Sequence, residues 1–537
     1  MDSLPEGAKD DLQTGSVVER EFSYELIKRV SGLPGQELLS HLSVLKDSEL
    51  LYERGIYPEA SYIFKHALTR EVVYDSILTK RKKKLHEEIG NAIEVLYKEN
   101  IDGQYGVLAE HYITGENYEK GAEYSKLAGK KAQKAGSFKE AIEYAKKEIF
   151  CLEGLPTTHS TQKKIIDART RLAGYNIGLT QHVEAKEAVE PIANLALELN
   201  YQKRLPMIYT AMGTYSDWVE ENYSEGFRYL SEALKTSEET KDNVSLWYAN
   251  FFLGFNLSFN CEFEKGIEYL RKSLDLGILA NRVITMSMAK SGISFFNYVF
   301  HGKIDLAYQI SKESLQMAQE SGDIYIKGIA CSSHGVSCYC KGLFDEAENS
   351  LLQALSFCEK VSQLGWWTCA SGFLGYVYSD MGEYKKAQVY YEKGISALER
   401  ARIYPFFVNM WKVSIARSKV LNNDQDIKLS EVFEYYENIN TKVAKGWAAR
   451  HVGEILLNID DQHISEAEDW VKKAIEADKK NCTMWSLGGD YALYAELFKR
   501  KADQPKAKKN LAKAIDIFKE CGADGWVEKY EKEMAAL

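Results

Sequence analysis

The sequence predicts an all-α protein, a right-handed superhelix of roughly 40-residue helix pairs preceded by a small α+β domain. Three observations predict it. From Tyr223 onward a turn and an aromatic or apolar residue are followed, three positions later, by a small residue, at Gly226, Gly266, Ala307, Ala347, Ala387, Ala467 and Ala507. The intervals are 40, 41, 40, 40, 80 and 40, the long one spanning a degenerate pair. A fixed period of this length marks stacked helix pairs that bury apolar faces only against neighbours. The composition, 45% hydrophobic and 27% charged with only 8 Pro, suits a soluble, mostly helical chain. Residues 1–78, by contrast, lack the period.

In chain order, LPEGAKDDLQTGSVV and SYELIKRVSG read as two short helices and PGQELLSHLSVLKDSEL as a third, with Leu38, Leu39, Leu42 and Leu45 apolar. LLYERG (50–55) and SYIFKH (61–66) read as two strands joined by the proline turn IYPEA. ALTREVVYDSIL then opens a long helix running through KRKKKLHEEIGNAIEVLY. Residues 79–155 are linking helices with the first irregular repeats, and 156–537 form the superhelix with a capping helix at its end. GENYEKGA (115–122), GSFKEA (136–141) and HVEAKEA (182–188) keep the motif but lose the period. Near 405–440, LNNDQD (421–426) replaces the turn signature, which predicts a soft spot or bend.

The register within a pair is specific. Gly254, Gly335 and Gly375 stand twelve residues before Gly266, Ala347 and Ala387, while Leu270, Leu351 and Tyr391 follow those small residues by four. Small residues let the two helices approach and the large one fills the space between pairs. With LeuGly at 374–375 and Tyr378, this spacing resembles the tetratricopeptide repeat, stretched from about 34 residues. The proline that often closes the motif is missing, so longer inter-repeat turns are expected. The 40-residue form resembles the superhelical regulatory region of MalT-type regulators.

The run SVVEREFSYELIKRVSGLP…LLYERG…YIFKHALTREVVYDSIL…KLHEEIGNAIE, together with the tail ECGADGWVEKYEKE, resembles the portion after the ATPase module in bacterial ATPase-linked class III adenylate/guanylate cyclases. There a cyclase precedes a STAND-type signalling ATPase, a winged helix and a tetratricopeptide superhelix. The resemblance implies that residues 1–78 form the winged helix. It also implies that the chain is a noncatalytic signal-transduction or scaffold module working with an ATPase/cyclase in cis or trans. Two alternatives are a truncated reading frame of a full cyclase and a stand-alone transcription regulator or peptide receptor. From the same resemblance, His66 in FKH occupies the place where such winged helices set a histidine against nucleotide phosphate, and the bland alternative is a structural histidine.

No GxxxxGK[ST] occurs, since GK at 129–130 and 302–303 is followed by Lys131 and Ile304. HEEIG (86–90) lacks the second histidine of a zinc protease helix. No catalytic residue, cofactor or metal is therefore expected. Cys331, His334, Cys338 and Cys340 cluster, but Cys331 lies four before Gly335 and His334 and Cys338 are register-equivalent to Leu374 and Tyr378, so they read as packing slots. A net charge of −10 and a third helix bearing Glu37, Asp47, Glu49 and only Lys46 disfavour nucleic acid, and make the run Lys80–Lys84 a solvated face or docking surface. Neither an apolar run of spanning length nor a signal peptide is visible, which places the protein in the cytoplasm, away from membranes.

First helices of tetratricopeptide pairs line the concave surface. That register points Tyr248, Phe251, Phe255, Phe259, Phe296, Phe300, Tyr339, Tyr376, Ser379 and Asp380 inward, as a groove for a protein or peptide partner. Alternatively, a tighter superhelix buries the same rings as core.

Overall fold

The computed structural model describes residues 4–56, 59–424 and 426–537. The chain divides into two compact units, one up to Arg171 and one from Leu172 to Leu537.

The first unit begins α1 (Glu6–Val18), β1 (Glu21–Ser23), α2 (Tyr24–Ser31), α3 (Gly35–Asp47), β2 (Leu51–Arg54) and β3 (Ser61–Phe64). The sheet is antiparallel in the order β1-β3-β2, with Phe22 opposite Tyr62 and Leu51 opposite Phe64. Sequence reading gives two strands, and the structure adds β1, whose three residues are too few to show an alternation. Part of the IYPEA turn, residues 57 and 58, lies outside the described residues. The single helix expected from Ala67 is two helices, α4 (Ala67–Asp75) and α5 (Thr79–Leu96). Leu78 takes an extended geometry, with φ −58 and ψ 136, and breaks the run without Pro or Gly. One apolar cluster runs from Ala8 through Phe22, Leu42 and Phe64 to Ile89 and Tyr112, so the sheet-bearing segment and the first helical repeats share a core.

In the second unit the 40-residue period is visible in the backbone. Left-handed residues recur within pairs at Glu221, Cys261, Gly302, Gly342 and Gly382, and between pairs at Lys241, Asn281, Gly322, Ser362 and Arg402. Each closes a helix C-terminus and turns the chain within two or three residues. The inter-repeat turns are therefore short, contrary to expectation. The length beyond a 34-residue repeat sits in the helices, such as Ile324–Lys341 and Phe344–Val361 with 18 residues each. Asp242 and Asp323 cap first helices, each accepting two backbone N–H bonds.

The glycine register is observed directly. A Cβ on Gly254, Gly335 or Gly375 would stand 2.5, 2.6 or 2.4 Å from Leu270, Leu351 or Tyr391, so each glycine is the contact point of its pair. The degenerate pair keeps a full first helix, Pro405–Leu421, but its second helix shrinks to Leu429–Glu437.

The superhelix of this unit is tight enough to touch itself. Tyr404 donates its N–H to the Trp218 carbonyl, and the Phe406 N–H bonds Glu221 across 185 residues. Gln363 reaches Thr180 across 183 residues, and Lys341 reaches Gly522 across 181. Indole N–H groups of Trp485 and Trp526 cap the carbonyls of Cys340 and Tyr339, 145 and 187 residues away. Such separations correspond to roughly three and a half to four and two-thirds pairs of the 40-residue period.

Candidate functional site

Of the two alternatives for the inward rings, open groove or buried core, the burial of these residues favours core. Phe251, Phe255, Phe259, Phe296, Phe300, Tyr339, Tyr376 and Ser379 are buried, and only Tyr248 and Asp380 keep partial exposure. Phe255 meets Phe296 edge-on at 3.8 Å, and Phe259 meets Phe406 at 5.7 Å from across the axis. These rings fill the middle of the unit as core, around a residual void of about 50 Å³. That is room for a few waters and too little for a peptide side chain.

Further along the same axis the packing opens. A cavity of about 300 Å³ lies among the helices Ile324–Lys341, Leu364–Asp380, Pro405–Leu421, Lys442–Ile459, Met484–Arg500, Gln504–Cys521 and Asp524–Ala535. Its wall is an aromatic ladder: Tyr376 to Trp447 at 4.9 Å, Trp447 to Trp485 at 5.2 Å and Trp485 to Trp526 at 5.9 Å. At its floor the Arg417 guanidinium is shared. Nε and Nη2 donate to the two oxygens of Glu454 at 2.7 and 3.1 Å, Nη1 to Ser379 Oγ at 2.7 Å, and Nη2 also to Asp380 at 3.3 Å. The Tyr339 hydroxyl donates to the other Asp380 oxygen at 2.8 Å. Burial works against the Arg417 cation, but Glu454 and Asp380 hold its pKa above the ordinary value.

A second cation, Arg450, donates to Ser486 and to Asp490. Burial, then the neighbouring Asp478, raise the Asp490 pKa, and one oxygen of each aspartate has no other partner, which fits two carboxyls sharing a proton. Between the two arginines, His451 accepts from Trp447 Nε1 at 3.0 Å and reaches Ser414 Oγ at 3.2 Å. The Ser414 proton already goes to the Met410 carbonyl, so His451 carries its proton on Nδ1. Burial and both arginines push its pKa well below the usual value, and it stays neutral.

Three of the residues expected inward, Tyr339, Tyr376 and Asp380, thus line this cavity, and Ser379 braces its arginine. Sequence reading missed Arg417, Trp447, Arg450, Glu454, Trp485 and Trp526. Arg417 belongs to the degenerate pair, where the register was lost, and the 40-residue offset from Tyr376 was the one signal pointing near it.

In the first unit, His66 is exposed at the N-cap of α4, and its side chain makes no cap hydrogen bond. Within the basic run, Arg81, Lys82, Lys83 and Lys84 face Asp10, Asp75, Glu116 and Glu88. Among the described residues no helix is long and apolar enough to cross a membrane.

No family model matches the chain, and no curated protein does. Among solved structures it is similar to the signal transduction ATPase with numerous domains (STAND) protein with a tetratricopeptide repeat sensor from Pyrococcus horikoshii. Identity there is 15% and the TM-score 0.36, over 99% of this chain; the chain spans 66% of that protein, just under two thirds. It is also similar to a Rap protein complexed with competence and sporulation factor, with 15% identity, a TM-score of 0.45, and coverage of 71% of this chain and 99% of that one. Aspartyl phosphate phosphatase F from Bacillus subtilis follows with 14% identity, a TM-score of 0.38, and coverage of 68% and 95%. None of the three reaches a TM-score of 0.5, and what each binds is a property of that protein.

Proposed function

We propose that the chain is a noncatalytic signal-transduction or scaffold module whose superhelix binds a protein or peptide partner. The observation that carries this reading is the cavity of about 300 Å³ in an axis that is otherwise filled with rings. Its size suits one or two large side chains of a partner segment, its indole wall suits an apolar or aromatic anchor, and its Arg–carboxylate floor offers fixed polar contacts. In this reading α1 to β3 form a winged helix, supported by the helix–strand–helix–helix–strand–strand order. It relays the bound state to an ATPase/cyclase module in cis or trans. His66, exposed and uncommitted to its own helix, is the nucleotide-sensing contact in a chain that carries the ATPase.

Random-peptide display selected on the full chain tests the binding claim. Selected peptides are expected to carry an aromatic or large apolar anchor, and to lose binding to Ala492→Trp, which fills the cavity while the circular-dichroism melt is retained. Peptides that bind this variant as well as the parent chain would place the binding elsewhere and overturn the assignment.

A further inference from the structure

Two of the four clustered Cys/His residues, besides being buried in their helix, approach a surface carboxylate. His334 and Cys338 sit one turn apart on the helix Ile324–Lys341, and Glu346 approaches from the helix Phe344–Val361. One ligand atom from each lies within 4.8 Å of the others. His334 Nε2 is 3.5 Å from Cys338 Sγ and 3.1 Å from Glu346 Oε1. A tetrahedral zinc ion, with bonds of about 2.3 Å to sulfur and about 2.1 Å to nitrogen or oxygen, sets those edges at about 3.6 and about 3.4 Å. The side chain that must adjust is Glu346, which is exposed and free to move by tenths of an ångström.

Proton positions point the same way. Ser311 Oγ donates its one proton to the Tyr308 carbonyl at 2.9 Å, so toward His334 Nδ1, 3.1 Å away, it acts as acceptor. Nδ1 then holds the imidazole proton, and Nε2 turns a lone pair toward a carboxylate and a sulfur. A serine fixing the distal nitrogen and a hydroxyl, Tyr308, at 3.2 and 3.4 Å from the two Glu346 oxygens form the outer shell usual for a metal site. Lys341 lies 5.8 Å from the Tyr308 ring, but Asp305 and Asp524 neutralise it.

We propose that His334 Nε2, Cys338 Sγ and Glu346 Oε1 bind a divalent transition-metal ion of the zinc class. The N/S/O donor set favours such an ion over magnesium or calcium. Three protein ligands, one of them at the surface, leave a fourth position for water. Binding releases the Cys338 proton to solvent.

Cobalt(II) titration of the reduced full chain tests this. One equivalent is expected to give visible d–d bands and a near-ultraviolet thiolate charge-transfer band. Cys338→Ser should abolish the charge-transfer band, while Cys340→Ser retains it. Glu346→Gln, a surface change that leaves folding intact, should weaken cobalt binding at least about tenfold, the low end of what even an outer-shell loss costs. Absence of the charge-transfer band, its survival in Cys338→Ser, or unchanged affinity in Glu346→Gln would each overturn the site.

Discussion

Two stretches of one helical axis, built from the same kind of helix pair, have opposite interiors. Around Phe255 and Phe296 the first helices supply rings that meet edge-on at 3.8 Å and leave about 50 Å³. Around Trp447 and Trp485 they supply indoles set over a paired arginine, and leave about 300 Å³. The difference lies in shape and charge of the inward side chain, not in the scaffold. Benzyl groups fill the axis, whereas guanidinium–carboxylate pairs hold their neighbours at hydrogen-bond distance and demand room for their solvation. The lesson is that a repeat register tells which residues face inward, and the chemistry of those residues tells whether the interior is core or site.

The largest expected effect breaks the sealed stretch. Phe255→Glu with Phe296→Glu buries two carboxylates without partners and should cost more than about 5 kcal/mol, read as collapse of the circular-dichroism melt. An unchanged melt would mean that the rings face solvent. Next comes the polar stretch. Arg417→Ala strands Glu454 and Asp380 and should cost about 3 kcal/mol, whereas Arg417→Met with Glu454→Leu should recover much of that loss. Equal losses in both variants would show that packing, and not charge, holds the floor.

The smallest pair of effects should differ in sign between the stretches. His451→Phe leaves the Trp447 indole N–H unpaired and should cost about 1–3 kcal/mol in urea unfolding. His182, packed on Trp218 at 4.3 Å, has no hydrogen-bond partner for either ring nitrogen among the described residues. His182→Phe should therefore be neutral or stabilising by about 1 kcal/mol. Burial holds the His182 pKa at about 3, against 6.5 when unfolded, so the unfolded chain takes up the proton first. Its contribution is present above pH 6.5 and is lost as pH falls toward 3, by about 2 kcal/mol at pH 5. His182→Phe should remove that part of the acid sensitivity, and unfolding curves at pH 7 and 5 measure it.

Much of this was legible in sequence because the helix pairs have a local requirement. Gly254 must sit against Leu270, and that contact repeats at Gly335 and Gly375 with fixed spacing. The three N-terminal helices and β2–β3 were legible from apolar spacing. Closure of the axis was not, because it depends on pitch accumulated over several pairs, and no local pattern encodes a meeting of Trp218 with Tyr404. The choice between open groove and core stayed open for that reason. The polar cavity escaped because Arg417 and Glu454 lie 37 residues apart across the degenerate pair, where the turn signature had gone. Glu346 escaped as a partner of His334 because it sits on the neighbouring helix and reads as an ordinary surface acid.

Contacts between residues 181 to 187 positions apart also change how this solenoid should fold. An open repeat array behaves as a one-dimensional chain of neighbours, able to nucleate anywhere and to fray from its ends. Here the turn at Tyr404 has nothing to grip until the helix ending at Trp218 is in place, and Tyr339 and Cys340 await the last two indoles. Loop closure over that distance must precede the gain, which slows folding and ties distant pairs into a single cooperative transition. The consequence is a second unit that loses its last pairs only together with its middle.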